Sequence, residues 1–585
     1  MKKQAYLIIV LSTLALFSRI GEVMAQKDTV RLKQEVEVTK AYQPTILDAV
    51  KINDIPEIKS EQTEVPTFDY SIYSKPVFST FELTPVAAAK MVGDPRPGMG
   101  NGLLKLGIGN YLTPYGELFF NAAPDKKSNF GMHFKHLSSS GDIKLLNDDK
   151  VDAPQSVNQA EIFGAKFFKN STLTGSIGYD RKAFNYYGYG GNELSNSEKD
   201  LMIPFFGDKQ WFSKGTLDVH MKSESLSMDN FKYDFGLNYH YLTSKTGQTE
   251  RQMIVSADLG KKFGNMNGIL NFSMTSFRAD SIRSRITGNF GPKHQMLMSI
   301  NPSVKWMTKN ASLRVGLNST INLDDDNDGT IYIWPMAKAE WSPVSQVLTL
   351  FVGLDGYLQH NTYSSIASEN PYVDPYHDVA NADYKTVFSG GFKGKLSRKT
   401  NYVAEASWSA VKNQHFYVTE SENLYNPSAT SRSLDNTFSW VYDDVNIFKL
   451  SAEVLHSVSD NFSVHLIGNY RSYDLKTLPV AWQMPKFDMT LSGIYKATDQ
   501  LKFTTDIFVV GSRTALIREP LSSSAPSQTV KMDPIIDLNA GAEYQFSEKL
   551  NFFLQLNNFG FQKYEQWLGY TNKGFNFLVG ASYKF

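Results

Sequence analysis

From Asn101 to the C-terminus, apolar and polar residues alternate one for one in stretches of about ten residues. A period of two predicts β-strands, because successive side chains of an extended chain point to opposite faces. The last stretch, Gly574 to Phe585, shows it most cleanly. Phe575, Phe577, Val579, Ala581, Tyr583 and Phe585 share one face, and Gly574, Asn576, Leu578, Gly580, Ser582 and Lys584 the other. The pattern recurs with Leu104, Leu106 and Ile108, with Phe448, Leu450, Ala452 and Val454, and with Phe462, Val464 and Leu466. It recurs again with Ile536, Leu538 and Ala540, and with Leu550, Phe552, Leu554 and Leu556. A tilted strand needs roughly 9–11 residues to cross a bilayer. An unbroken apolar row that ends on an aromatic predicts lipid on one side and a polar lumen on the other.

The connections alternate as regularly as the strands. Tight turns are predicted at 124–128, 169–171, 224–230, 263–265, 309–310, 342–345, 397–400, 458–460, 498–499 and 547–548. Between them fall connections at 113–115, 138–156, 186–208, 244–250, 282–293, 323–329, 361–383, 416–433, 475–484, 516–531 and 564–573, mostly longer, polar and irregular. Together they join about 22 strands, with 20 or 24 following from one merged or missed hairpin. Short turns on one side and longer loops on the other are the asymmetry of a transmembrane antiparallel β-barrel, with both termini on the periplasmic side. A sheet can cross lipid only if it closes edge to edge, since the hydrocarbon offers its backbone no partner. The fold expectation is therefore all-β.

Composition narrows the class further. Aromatics include 39 Phe and 30 Tyr, which suit strands and interfacial girdles. The chain has no cysteine, so it has neither disulfides nor thiolate metal sites nor a lipoprotein anchor. Basic and acidic residues balance at 59 each, which leaves no global field for a nucleic-acid partner. Residues 1–25 read as a secretory signal: Lys2 and Lys3, an apolar run from Ala5 to Phe17, and a small-residue cleavage site at Val23-Met24-Ala25. Residues 26–100 carry Pro44, Pro56, Pro66, Pro76, Pro85, Pro95 and Pro97 and little alternation, which predicts an extended periplasmic or lumenal segment. Residues 101–585 are the predicted barrel.

Three features carry a family resemblance. The terminal Tyr583 and Phe585 resemble the C-terminal signature that the barrel-insertion machinery reads in bacterial outer-membrane barrels. Glu35, Val36, Glu37, Val38 and Thr39, running into Lys40, resemble the energy-coupling box of TonB-dependent receptors. With about 22 strands behind it, the chain resembles the TonB-dependent receptors of Bacteroidota. That resemblance implies outer-membrane lipid and lipopolysaccharide around the barrel, and a TonB-like energiser or another partner protein at the N-terminal arm. One departure is plain: about sixty residues separate Lys40 from the first strand, fewer than a full plug domain takes. Two functions stay open. One is a pathway for a polar solute or nutrient, with residues 26–100 as stopper or coupling arm. The other is a non-transporting interaction protein that holds a periplasmic or surface partner through that arm and loops 186–208, 361–383 and 416–433.

Candidate chemistry is sparse. Asp324, Asp326 and Asp328 followed by Gly329 have the spacing of a calcium loop, yet Pro335 stands where a bidentate glutamate belongs. An acidic outer loop bridged by divalent cations to lipopolysaccharide is the competing reading. Tyr186 to Asn192, YYGYGGN, places tyrosines on a glycine frame, fit either for an interfacial girdle or for stacking on sugars. Lys105, Lys449, Glu453, Lys502, Asp506, Asp537, Glu543 and Lys584 fall on the predicted lumen face with mixed signs. The sequence has no G-x-S-x-G elbow, and the reading is of a non-enzyme without a cofactor, calcium aside.

Overall fold

The computed structural model describes residues 102–122, 127–188, 209–224, 230–280, 283–284, 288–289, 293–324, 327–374, 379–419, 437–517 and 527–585. The coupling-box residues Glu35–Thr39 and Asp326 lie outside them, as does the side chain of Asp328.

Twenty-two antiparallel strands form the wall. They begin with β1 (Gly102–Gly109), β2 (Thr113–Asn121), β3 (Ser128–Ser139), β4 (Gln155–Phe167), β5 (Ser171–Asn185) and β6 (Lys209–Ser223). Next come β7 (Lys232–Ser244), β8 (Thr249–Phe263), β9 (Met266–Ala279), β10 (Lys293–Met307) and β11 (Ala311–Asp324). The wall continues with β12 (Asn327–Val344), β13 (Leu348–Gln359), β14 (Ala382–Ser397), β15 (Thr400–Thr419) and β16 (Phe438–Ser459). It ends with β17 (Phe462–Leu475), β18 (Phe487–Lys496), β19 (Leu501–Val510), β20 (Ile535–Gln545), β21 (Leu550–Asn557) and β22 (Asn576–Lys584).

Each strand pairs with its chain neighbours, and β22 returns to β1 with Leu104 opposite Tyr583, Leu106 opposite Ala581 and Ile108 opposite Val579. The terminal residue takes part in the seam: Gly102 and Phe585 exchange both backbone hydrogen bonds at 3.0 Å. A Cβ on Gly102 would lie 2.2 Å from the Phe585 ring, so any larger residue there would have to displace that aromatic. No sheet edge remains along this seam, as spanning a bilayer requires.

The two faces of the wall divide as the alternation predicts. Leu106, Ile108, Ile177, Ile333, Phe388 and Phe448 stand exposed on the outside, while Glu117, Ser303, Asn469 and Ser582 are buried on the lumen side. A closed barrel with this outer belt is an outer-membrane barrel.

The strand count and the order of turns and loops agree with the sequence reading; four details differ. The β1–β2 link is a tight turn at 110–112, with Tyr111 and Leu112 at φ 55° and 44°, and residues 113–115 begin β2. The 323–329 stretch is no long loop, because β11 and β12 pair up to Asp324 opposite Asn327. The turn placed at 342–345 falls after Val344, where β12 ends. Finally, β15 and β16 run 20 and 22 residues, about twice the crossing length, so their outer halves stand beyond the bilayer. A bulge between Val411 and Gln414, with Asn413 at φ 60°, re-aims the protruding half.

Candidate functional site: a polar lumen under a folded cap

Among the described residues, several outer connections share an apolar core. Tyr363, Ile366, Val373, Tyr417, Phe438, Trp440, Ala515, Ile517, Met532, Trp567, Leu568 and Tyr570 are all buried in one cluster. They come from four connections, those after β13, β15, β19 and β21, and Tyr187, just past β5, packs against them. In a ring of twenty-two strands, β5 and β16 stand eleven places apart, on opposite walls. Yet Tyr186, just past β5, donates its hydroxyl hydrogen to the carbonyl of Val373 at 3.2 Å. Val373 in turn bridges to Phe438 of β16, with Asp374 N to Phe438 O at 2.8 Å and Phe438 N to Tyr372 O at 3.0 Å. Such a chain of contacts can be made only across the mouth. The cluster is therefore a cap over the lumen.

Each piece of the cap has a local reason for its shape. In the β13–β14 connection, helix α1 (Tyr363–Glu369) starts at Thr362, whose hydroxyl accepts from Ser365 N while the Ser365 hydroxyl returns to Thr362 N, a capping box. Two further N–H groups of its first turn, Tyr363 and Ser364, donate to the Glu250 carboxylate of β8 at 2.7 and 2.8 Å. A carboxylate at a helix N-terminus meets both the free donors and the positive end of the dipole. Glu250 thereby ties α1 to the barrel rim. The hydrophobic face of the helix, Tyr363, Ile366 and Ala367, then enters the core.

The keystone is the last outer connection, which carries the hairpin Glu565–Trp567 and Tyr570–Thr571. Tyr570 stacks on Tyr372 with ring centroids 3.5 Å apart and meets Tyr187 edge-on at 5.0 Å. Trp567 meets Tyr417 at 4.9 Å and Phe438 at 5.8 Å. Buried Arg513, on the β19–β20 connection, donates to the carbonyls of Gln566 and Glu565. Tyr564 donates to Asp537 at 2.6 Å, and Tyr187 donates to the Thr571 carbonyl at 3.0 Å. Gly188 lets this approach happen: a Cβ there would lie 2.7 Å from the Tyr570 ring.

Burial sets the electrostatics of this connection and of the groups packed against it. It raises the Glu565 carboxyl to about 7, although the Gly569 N–H and Arg513 pull the other way. It lowers the Lys573 ammonium to about 7, with the Ser139 hydroxyl as its hydrogen-bond partner. It lowers Arg513 to about 10 despite the nearby Glu565 and raises Tyr372 to about 12.

Beneath the cap the lumen wall carries many polar pairs. Lys338 and Asp355 pair at 3.0 Å, Lys393 and Glu340 at 2.7 Å, His465 and Glu453 at 2.8 Å, and Arg471 with Asp488. Arg314 donates to Ser303 and to Asn271, each at 3.0 Å. Tyr115 and His133 converge on Glu117 at 2.5 and 3.0 Å.

The residues singled out from sequence fare unequally. The lumen-face charges lie on the polar side of the registers: Lys105 faces Glu117 and Ser582, and Lys502 faces Glu543. Tyr583 and Phe585 sit in the closing seam, exposed outward. Asp324 ends β11, with Asn322 donating to it at 3.4 Å. Tyr186 is buried on the Val373 carbonyl and Tyr187 packs against the cap core, so these two rings form neither an interfacial girdle nor a sugar platform; Tyr189 to Asn192 lie outside the described residues. Helix α1 and the described ends of β15 and β16 are likewise buried in the cap core, while residues 189–208 and 420–433 of the loops read as partner-holding lie outside the described residues. Sequence reasoning passed over the keystone; its one signal was the density of aromatics in 564–570, YEQWLGY, within a connection read as polar.

No family model matches the sequence, and no curated protein matches it. Solved structures do match the fold. The ferric-catecholate import receptor Fiu of E. coli K12 aligns with TM-score 0.60 at 11% identity, over 84% of this chain and 82% of that one. The siderophore receptor PirA of Acinetobacter baumannii aligns with TM-score 0.61 at 10% identity, over 84% and 81%. The FrpB iron transporter of Neisseria meningitidis aligns with TM-score 0.60 at 10% identity, over 84% and 82%. The shared feature is the 22-strand outer-membrane barrel.

Proposed function

We propose that this barrel is a gated pathway for a polar solute across the outer membrane, with the loop cap as its closed outer gate. The observation that carries the reading is the contrast between cap and wall. The described wall offers hydrogen-bonding groups on its inner face, as a hydrated passage needs, while an apolar cluster lies across its outer end. The match to import receptors supports the same reading at the level of fold. The box-like segment Glu35–Thr39 is the proposed contact for a TonB-like energiser, and residues 41–100 the proposed lower stopper in place of a full plug.

A second reading, a non-transporting interaction protein, draws its support from the cap. So extensive a packed surface could present a rigid outer face to a partner.

Swelling of proteoliposomes in sugars and amino acids of graded size separates the two. Removing residues 41–100 and loosening the cap should together admit small polar solutes, whereas wild-type protein stays impermeant. Impermeance of the doubly altered, correctly folded barrel would transfer the case to the partner-holding reading.

A further inference from the structure

The outward face of the wall carries a basic row that the solute pathway does not use. Tyr241 of β7, Arg251 of β8, Arg278 of β9 and His294 of β10 are successive register partners, one beside the next around the barrel. Arg251 and Arg278 point away from the lumen: both are about half exposed, while Gln252 and Phe277 beside them are buried. One outward position below, toward the membrane, Met253 is 37% exposed in the apolar belt. Two residues of strand rise about 7 Å. The row therefore stands at the depth of the outer-leaflet headgroups, just above the hydrocarbon.

Two like charges directly opposite on neighbouring strands are unfavourable unless something neutralises them. Among the described residues one carboxylate serves both: Asp280 lies 3.5 Å from Arg251 and 3.6 Å from Arg278. Two guanidiniums share one negative charge, so the described trio is net positive and open to an anion. Arg251 lies over the Tyr241 ring at 5.6 Å, with one donor on Asp280. Guanidinium forks match phosphate oxygens bidentately. We infer that Arg251 and Arg278, on the Tyr241 shelf, form a docking site for the phosphate of an outer-leaflet glycolipid whose acyl chains lie along the belt below. The site rests on the barrel spanning the outer membrane and is independent of what the lumen carries.

Native mass spectrometry of the full-length protein in detergent tests this, with diphosphoryl lipid A and its enzymatically dephosphorylated form as probes. Wild type should retain the phosphorylated lipid at least about tenfold more than the dephosphorylated one, the ratio that 1.4 kcal/mol confers. R251Q/R278Q should lose that preference, and R251K/R278K should keep only part of it. Heat-modifiable migration verifies that each variant is folded, and the wild-type comparison of the two lipids needs no variant. Equal retention of both lipids by wild type, or an undiminished preference in folded R251Q/R278Q, overturns the site. Displacement of lipid A by millimolar inorganic phosphate overturns the lipid assignment in favour of a free-anion site.

Discussion

Tyr570→Ala should open the cap without unfolding the barrel. The side chain is 1% exposed and is held by the Tyr372 stack, the Tyr187 edge contact and Phe438 at 5.9 Å. Truncating a buried aromatic to alanine costs about 3–5 kcal/mol, part transfer and part cavity. Each lost aromatic pair adds about 0.5–1.5 kcal/mol beyond area. Even the low end, about 3 kcal/mol, multiplies the population of the opened cap roughly 150-fold. None of the lost contacts belongs to a ladder within the bilayer, so heat-modifiable migration should be unchanged. The assay is amide hydrogen exchange. Tyr363–Glu369 and Arg513–Ile517, which share the core with Tyr570, should lose protection together, while β1, β21 and β22 keep theirs. Unchanged protection of α1 in a folded Tyr570→Ala barrel would refute the cap as one cooperative unit.

Four further outcomes follow from particular groups. Glu565 has a folded pKa raised to about 7, so the folded cap holds a proton that the opened chain has released between about 4.5 and 7. Cap stability should therefore fall as pH rises through that window and then level off, and Glu565→Gln should flatten the fall in a protease-susceptibility series. Lys573 has the opposite slope: its folded pKa is lowered to about 7 from 10.5, the opened chain binds more protons above 7, and stability should recover from pH 7 toward 10. Phe585→Asp puts a charge at the lipid-facing end of the closing seam; export should persist while the heat-modifiable form disappears, and wild-type amounts of that form would contradict the seam's role. If Asp324, Asp326 and Asp328 hold calcium as proposed, chelation should raise cleavage within 323–329, and an unaltered cleavage rate removes the site.

Much of the wall was legible because its physics is local. A two-residue period bounded by turn residues fixes a strand, its faces and, by counting, the parity that puts both ends on one side. Leu104 to Ile108 and Phe577 to Phe585 were readable as partners since each has one apolar face and only one seam can close the ring. The cap was not legible, because its contacts join residues that no period relates. Tyr186 and Val373 are 187 positions apart, and Glu250 and Tyr363 are 113. The aromatic density of Tyr564–Tyr570 was visible, but a loop tyrosine reads alike whether it meets water, lipid or another loop. The length of β15 and β16 was missed for a related reason. Beyond the bilayer both faces of that hairpin are buried, Tyr417 and Phe438 in one core and Phe416 and Val418 in another, so the alternation is lost where the strands continue.

Planar-bilayer conductance tests the gated pathway most directly. Four forms are compared: wild type, protein lacking residues 41–100, protein with the 558–575 connection replaced by a short glycine-serine turn, and both changes together. Closure at two levels predicts silence in wild type, little or no current in either single variant, and discrete ohmic steps in the double variant. A double variant that inserts and migrates as a folded barrel yet passes no current would contradict the account.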